Sequence, residues 1–133
     1  MIRGDIDALP IVEINTFEHK STSPGVSHKC GHDGHTTILL GLAMLLSEQP
    51  ITKGKVILLF QPAEENGMGA AAVLDDSDFQ KERIDYVFAL HNLPGFELND
   101  IVVKEQEFTG NVKSIILKMT GKTAHAAEPE KGY

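Results

Sequence analysis

Only one cysteine occurs among the 133 residues, so no internal disulfide can form and the disulfide-stapled secreted scaffolds are excluded. A reducing cytoplasm is the expected compartment. Positive charge is scarce as well: 12 Lys and Arg stand against 19 Asp and Glu, a net charge of −7. A phosphate-backbone partner needs a face on which Lys and Arg outnumber the carboxylates; no such run is visible, and no nucleic-acid partner is expected. Long apolar runs are missing too. The longest, residues 38–46, is broken by Gly41 and falls well short of the roughly 20 residues that cross a hydrocarbon core. A soluble chain with no membrane partner is expected. An acid, Asp5, stands where a signal peptide would carry its apolar stretch, so no export signal is read. The length suits one ordinary domain with enough chain to bury a core.

What is present alternates short apolar runs with helical stretches, the signature of an α/β fold. Residues 1–7 read as a strand ending in the acids Asp5 and Asp7, with Pro10 preventing its continuation in a central ladder. Residues 15–29 are polar around Ser23-Pro24-Gly25 and read as a long loop, of the kind that is often functional. Residues 34–48 are apolar nearly all round and predict a helix packed against a sheet. The unbroken run Val56-Ile57-Leu58-Leu59-Phe60 predicts a parallel strand covered on both faces, ended by Pro62. A short helix is expected over 67–74, a buried strand over 84–91, another over 101–103, and a strand over 112–119 that begins a different sheet.

Polar side chains collect just past the ends of these strands, the edge where open α/β sheets bind ligands. Cys30 and His32, two apart in an extended loop, point to one side, so a thiolate and an imidazole can reach one ion. Taken alone, the pair reads as a buried free cysteine beside a surface histidine. Gly31 and Gly34 allow close backbone approach, and two further histidines, His28 and His35, lie nearby, which favours metal or catalysis. Glu64-Glu65 follows the apolar run at Pro62, a poor place for idle charge. Adjacent side chains diverge, so one glutamate can ligate a metal while the other faces the substrate water. The plain alternative is a solvated acidic turn. His91, which alone would read as a hydrogen-bonded structural residue, would complete a nitrogen, sulfur and oxygen donor set that zinc and similar metals accept.

Five segments occur in order: Arg3-Gly4-Asp5-Ile6-Asp7-Ala8-Leu9-Pro10, Cys30-Gly31-His32-Asp33-Gly34-His35, Gln61-Pro62-Ala63-Glu64-Glu65, Ala89-Leu90-His91 and Gly121-Lys122-Thr123-Ala124-His125-Ala126-Ala127. With them the chain resembles the dinuclear-metal amidohydrolases that include hippurate hydrolase, indole-acetyl-amino-acid hydrolase and N-acetyldiaminopimelate deacetylase. The resemblance implies an aminopeptidase-like three-layer α/β/α catalytic domain, here residues 1–107. It also implies the start of an α+β lid that mediates homodimerisation, here residues 108–133. It implies two divalent ions, zinc foremost with manganese, cobalt or nickel as alternatives, held by Cys30, His32, Glu65 and His91. Glu64 would be the general base, Asp7 a carboxylate supporting the site and His125 the lid residue that stabilises the oxyanion.

The implied substrate is an N-acyl amino acid or a similar small amide. Thr123-Ala124 replaces the Gly-Gly common before the lid histidine, and Pro129-Glu130 replaces Pro-His. These departures bear on substrate contacts. Family members run to roughly three times this length on the usual two-domain plan, which implies an internal piece of a longer enzyme, with a further histidine ligand in the missing half. The alternative is a truncated, non-catalytic remnant that folds partly and at most binds metal. A structural zinc module, with four closed ligands and no general base, is disfavoured by the presence of Glu64 beside Glu65.

Overall fold

The computed structural model describes residues 1–111 and 113–132. The chain forms two compact units, Met1–Phe96 and Glu97–Tyr133. In the first unit three strands make a parallel sheet: β1 (Ile2–Asp5), β2 (Leu58–Gln61) and β3 (Phe88–Ala89), in the order β2-β1-β3. The register aligns Asp5 with Gln61 and Arg3 with Ala89. From β1 the chain passes to one side for β2 and to the other for β3. The carboxyl ends of all three strands therefore open on one edge, where the order reverses, the place at which open α/β sheets bind ligands.

Helix α1 (His32–Glu48) follows Gly31, whose φ of 103° lies in the left-handed region that glycine occupies freely. His32, His35 and Leu39 fall on one stripe at three- and four-residue spacing and are buried, with Leu42, Ala43 and Leu46 half-buried along the same side. The stripe lies on β1 at Gly4, where an added methyl would come within 2.9 Å of Leu39 Cδ1. Leu39 is the one fully buried apolar side chain among the described residues. Leu39→Ala is expected to cost about 2–5 kcal/mol in urea denaturation, the range for emptying such a site.

Several expectations need correction. Helix α1 is not covered all round: Ile38, Leu40, Met44 and Leu45 are each more than half exposed. One stripe of a helix meets one sheet face, and the other sides need a second layer that the described residues do not supply. Likewise β2 is half-buried rather than covered on both faces. Over 84–91 only Phe88 and Ala89 pair, and Phe88 is 63% exposed. Residues 101–103 and 113–119 form no strand, since no other segment among the described residues pairs with them; Val112 lies outside the described residues. The short helix α2 (Gly69–Asp75) and a 3₁₀ turn at Phe79–Lys81 lie between β2 and β3.

The long loop has its own skeleton. Leu9 and Ser27 exchange backbone hydrogen bonds of 3.1 Å in both directions, and the buried Ser27 hydroxyl donates to the Ile11 carbonyl at 2.8 Å. The Glu13 carboxylate accepts from Lys29 Nζ at 2.6 Å, from Asn15 N at 2.9 Å and from Ser21 N at 3.3 Å. Lys29 first, then the Asn15 N–H, holds the Glu13 carboxyl down to about 2 from its ordinary 4.5. Because the folded value is the lower one, this stabilisation is fully present above about pH 4.5 and is lost as pH falls toward about 2. Urea titrations across that window should show Glu13→Gln converging on the parent at the acid end. A stability gap that stays constant with pH would refute the role of Glu13.

In the second unit the described residues form no strand and one 3₁₀ turn, Pro129–Gly132, tied back through a hydrogen bond from Lys122 N to the Gly132 carbonyl. No helix among the described residues is long and apolar enough to cross a membrane.

Candidate metal centre

Three loops at the open edge of the sheet deliver the donors. After β1, Asp7 turns its backbone carbonyl to His32 Nδ1 at 2.9 Å, with Asp7 Oδ1 at 3.4 Å. A carbonyl can only accept, so Nδ1 carries the proton and Nε2 of the neutral ring keeps the lone pair. His32 is fully buried, yet among the described residues Nε2 has no hydrogen-bond partner. Around it stand Glu64 Oε2 at 3.8 Å, Glu65 Oε1 at 3.9 Å and Asp5 Oδ2 at 4.0 Å.

The glutamates are placed by a tight turn after β2. Ala63 takes a φ of 55°, unusual for a residue with a Cβ, and its carbonyl accepts from Met68 N and Gly69 N. Asp7 Oδ2 accepts from Glu65 N at 3.1 Å, so the β1 loop grips the β2 loop directly. Burial opposes charge on Asp7, but the N–H groups of Glu65 and Glu64 outweigh it and hold the carboxyl below its ordinary range.

From the third loop His91 brings Nε2 to 3.4 Å from Cys30 Sγ, while its Nδ1–H donates to the Asn92 carbonyl at 2.8 Å. Burial pushes the Cys30 thiol up, and Glu65, Glu64 and Asp5 push it further, so the site opposes a thiolate unless a cation enters. Ligand atoms of Cys30, His32 and His91 lie within 4.8 Å of one another, as do those of His32, Glu64 and Glu65. Thiol, imidazole and carboxylate donors meet around an orphaned buried nitrogen, and the nearby Arg3 is already ion-paired with Asp5. The residues fit a divalent metal of borderline softness.

Of the candidates drawn from sequence, Cys30, His32, Glu64, Glu65, His91 and Asp7 come together in the first unit. His125 belongs to the second, exposed on a turn where its Nδ1 accepts from Ala127 N at 3.2 Å, which leaves the proton on Nε2. Sequence reasoning passes over Asp5 and His35 as site members, though each is 1% exposed and Asp5 Oδ2 lies 3.6 Å from His35 Nδ1. The i, i+3 spacing of His32 and His35 on one helix face is the available signal.

A parallel sheet whose carboxyl edge gathers Cys, His and Glu donors defines an α/β domain with a candidate metal centre. Residues 1–130 match the sequence pattern of peptidase family M20/M25/M40, and the chain belongs to that family. It is 45% identical over 133 residues to N-acetyl-L-cysteine deacetylase of Bacillus subtilis, covering 99% of this chain and 32% of that protein. It is 40% identical to hippurate hydrolase of Campylobacter jejuni, covering 98% and 34%. Among solved structures, a Bacillus subtilis dinuclear metal binding peptidase from the M20 family superposes with a TM-score of 0.64 at 43% identity, over 71% of this chain and 26% of that one. The chain thus spans about a third of the length of the curated relatives it matches.

Proposed function

We propose that this chain supplies the metal-holding part of a metal-dependent amidohydrolase that cleaves the amide bond of N-acyl amino acids or related small amides. The observation that carries the proposal is the buried, unpartnered His32 Nε2 facing both a thiol-imidazole pair and two carboxylates. The names of the relatives support the substrate class, and the dinuclear M20 structure supports a pair of divalent ions. Cys30, His32, Glu65 and His91 would hold them; zinc suits the thiol best, with manganese, cobalt or nickel as alternatives. When bound, such ions polarise an amide carbonyl and ease the ionisation of water at neutral pH.

The side chains divide the remaining work. Glu64, the more exposed of the two glutamates, takes a proton from the attacking water and returns it to the leaving nitrogen. Asp7 fixes the His32 tautomer and anchors the turn that bears Glu65. His125 donates its Nε2–H to the oxyanion of the tetrahedral intermediate. In the whole protein these residues belong to an aminopeptidase-like three-layer catalytic domain, residues 1–107 here, and a lid that begins at residue 108 and pairs two subunits. A free cysteine among the donors suits a reducing cytoplasm.

The test is hydrolysis of N-acetyl and N-benzoyl amino acids by the whole protein, before and after chelation and with metal returned. Activity that chelation abolishes and divalent metal restores is expected; hydrolysis indifferent to chelation refutes the proposal. One observation favours a second reading for the 133-residue chain by itself: the described residues include a single fully buried apolar side chain. On that reading the isolated chain is a remnant that takes up metal without turnover, and hydrolysis by the isolated chain would rule it out.

A further inference from the structure

His91 lies two residues past the shortest strand of the sheet, the two-residue, exposed β3, yet its imidazole has to meet Cys30 and His32 from another element. Two residues outside the proposed ligand set tie it there. The Asn92 carbonyl accepts the His91 Nδ1–H at 2.8 Å. Asn92 in turn docks on His35 of helix α1: its backbone N lies 3.4 Å from His35 Nε2, and its carboxamide Oδ1 lies 3.0 Å from the same nitrogen. A backbone N–H can only donate, which makes Nε2 the acceptor and puts the His35 proton on Nδ1, toward Asp5 Oδ2 at 3.6 Å. Exchanging the carboxamide O and N, so that the NH₂ faces His35, would let the side chain donate to the same nitrogen. The same side chain lies over Gly31, where any Cβ would collide with it. The His35 and His91 rings meet edge to face, 4.6 Å between centroids.

We infer that Asn92 and His35 are positioning residues for His91: together they clamp the loop after β3 to the first turn of α1 and fix His91 as its Nδ1–H tautomer, with Nε2 toward Cys30. The donors run in one sense, from His91 to Asn92 and from Asn92 to His35, whose Nδ1 then faces the buried carboxylate of Asp5 at 3.6 Å. Neither residue touches the reacting atoms. The inference rests on the metal-centre reading above for its consequence, since a loosened His91 matters chiefly as a lost ligand.

The experiment uses the whole protein, Co2+ as the probe, and the side-chain nitrogen signals of His91 in the metal-free protein. Asn92→Ala and His35→Ala should each weaken Co2+ binding by about 10–100-fold, the scale for partners that orient a ligand, and the double variant should be no weaker than the worse single one. In the metal-free Asn92→Ala protein, the His91 signals should move from one tautomer to a mixture. Because His35 is buried, His35→Gln serves as the variant that keeps the volume and an amide able to accept from Asn92 and donate to Asp5; it should recover most of the lost affinity.

Co2+ affinity within about twofold of the parent in Asn92→Ala, with unchanged His91 signals, overturns the inference. So does a double variant whose loss is the product of the two single losses. A parent protein that takes up no Co2+ refutes the metal-centre reading instead, and the His91 signals of Asn92→Ala still decide whether the clamp exists.

Discussion

Replacing Glu64 by alanine in the whole protein is expected to lower kcat/KM for N-acyl amino acids by roughly 10²–10⁴-fold, the contribution of a positioned general base, while metal content stays at the parent level. The split between those two readouts is what identifies the role. Glu64 and Glu65 stand at nearly equal distances from His32 Nε2, 3.8 and 3.9 Å, so distance alone does not separate a base from a ligand. Their surroundings do. The backbone N–H of Glu65 is held by Asp7 Oδ2, and its side chain is 24% exposed, against 41% for Glu64. The less exposed carboxylate suits a ligand, and the more exposed one suits a group that must face water and then a leaving nitrogen. Glu65→Gln should therefore lose metal, whereas Glu64→Gln should keep metal and lose turnover. Activity within about tenfold of the parent in Glu64→Ala would show that the base is elsewhere.

The second large effect is expected at Cys30. Cys30→Ser replaces a soft sulfur donor by a hydroxyl that ionises far less readily. Co2+ affinity should fall by more than the roughly 10–100-fold that outer partners contribute. The sulfur-to-cobalt charge-transfer absorption of the Co2+ protein should vanish outright. Cys30→Ser is nearly isosteric and Cys30 is only part-buried, so the fold should survive. A Co2+ spectrum that is the same in parent and variant would remove Cys30 from the ligand set and leave His32 and His91 to be explained by other means.

Much of this is legible in the chain because the strongest signals are local. The continuous run before Pro62 marks β2, the polar loop ends where α1 begins, and the i, i+2 spacing of Cys30 and His32 brackets that start. What the chain hides is non-local. The apolar residues at 101–103 and 113–119 have the composition of strands, but a strand exists only where another segment offers its backbone, and composition does not say which segment does. The apolar sides of α1 suggest burial for the same reason: hydrophobicity states a demand for cover and not the identity of what covers. Within the site, Asp5 looks like the tail of a strand, and Asn92 carries no signal at all. Its importance comes from an imidazole 57 residues earlier in sequence.

The innermost side chains of the first unit are Asp5, His32, His35, Ser27 and Gln61, with Leu39 the lone hydrocarbon among them. A nucleus made of polar groups contributes little hydrophobic stabilisation and leaves several desolvated atoms to be compensated, so the folded state gains most when a cation arrives. Ligand linkage then sets the scale: at a free metal concentration of about 100 times Kd the native state gains about 2.7 kcal/mol. The melting temperature should climb with added metal and fall with chelator, even for variants that cannot turn over substrate. On the proposed metal-centre reading, the amount of the protein in a cell should follow the supply of the ion, with proteolysis taking the metal-free form.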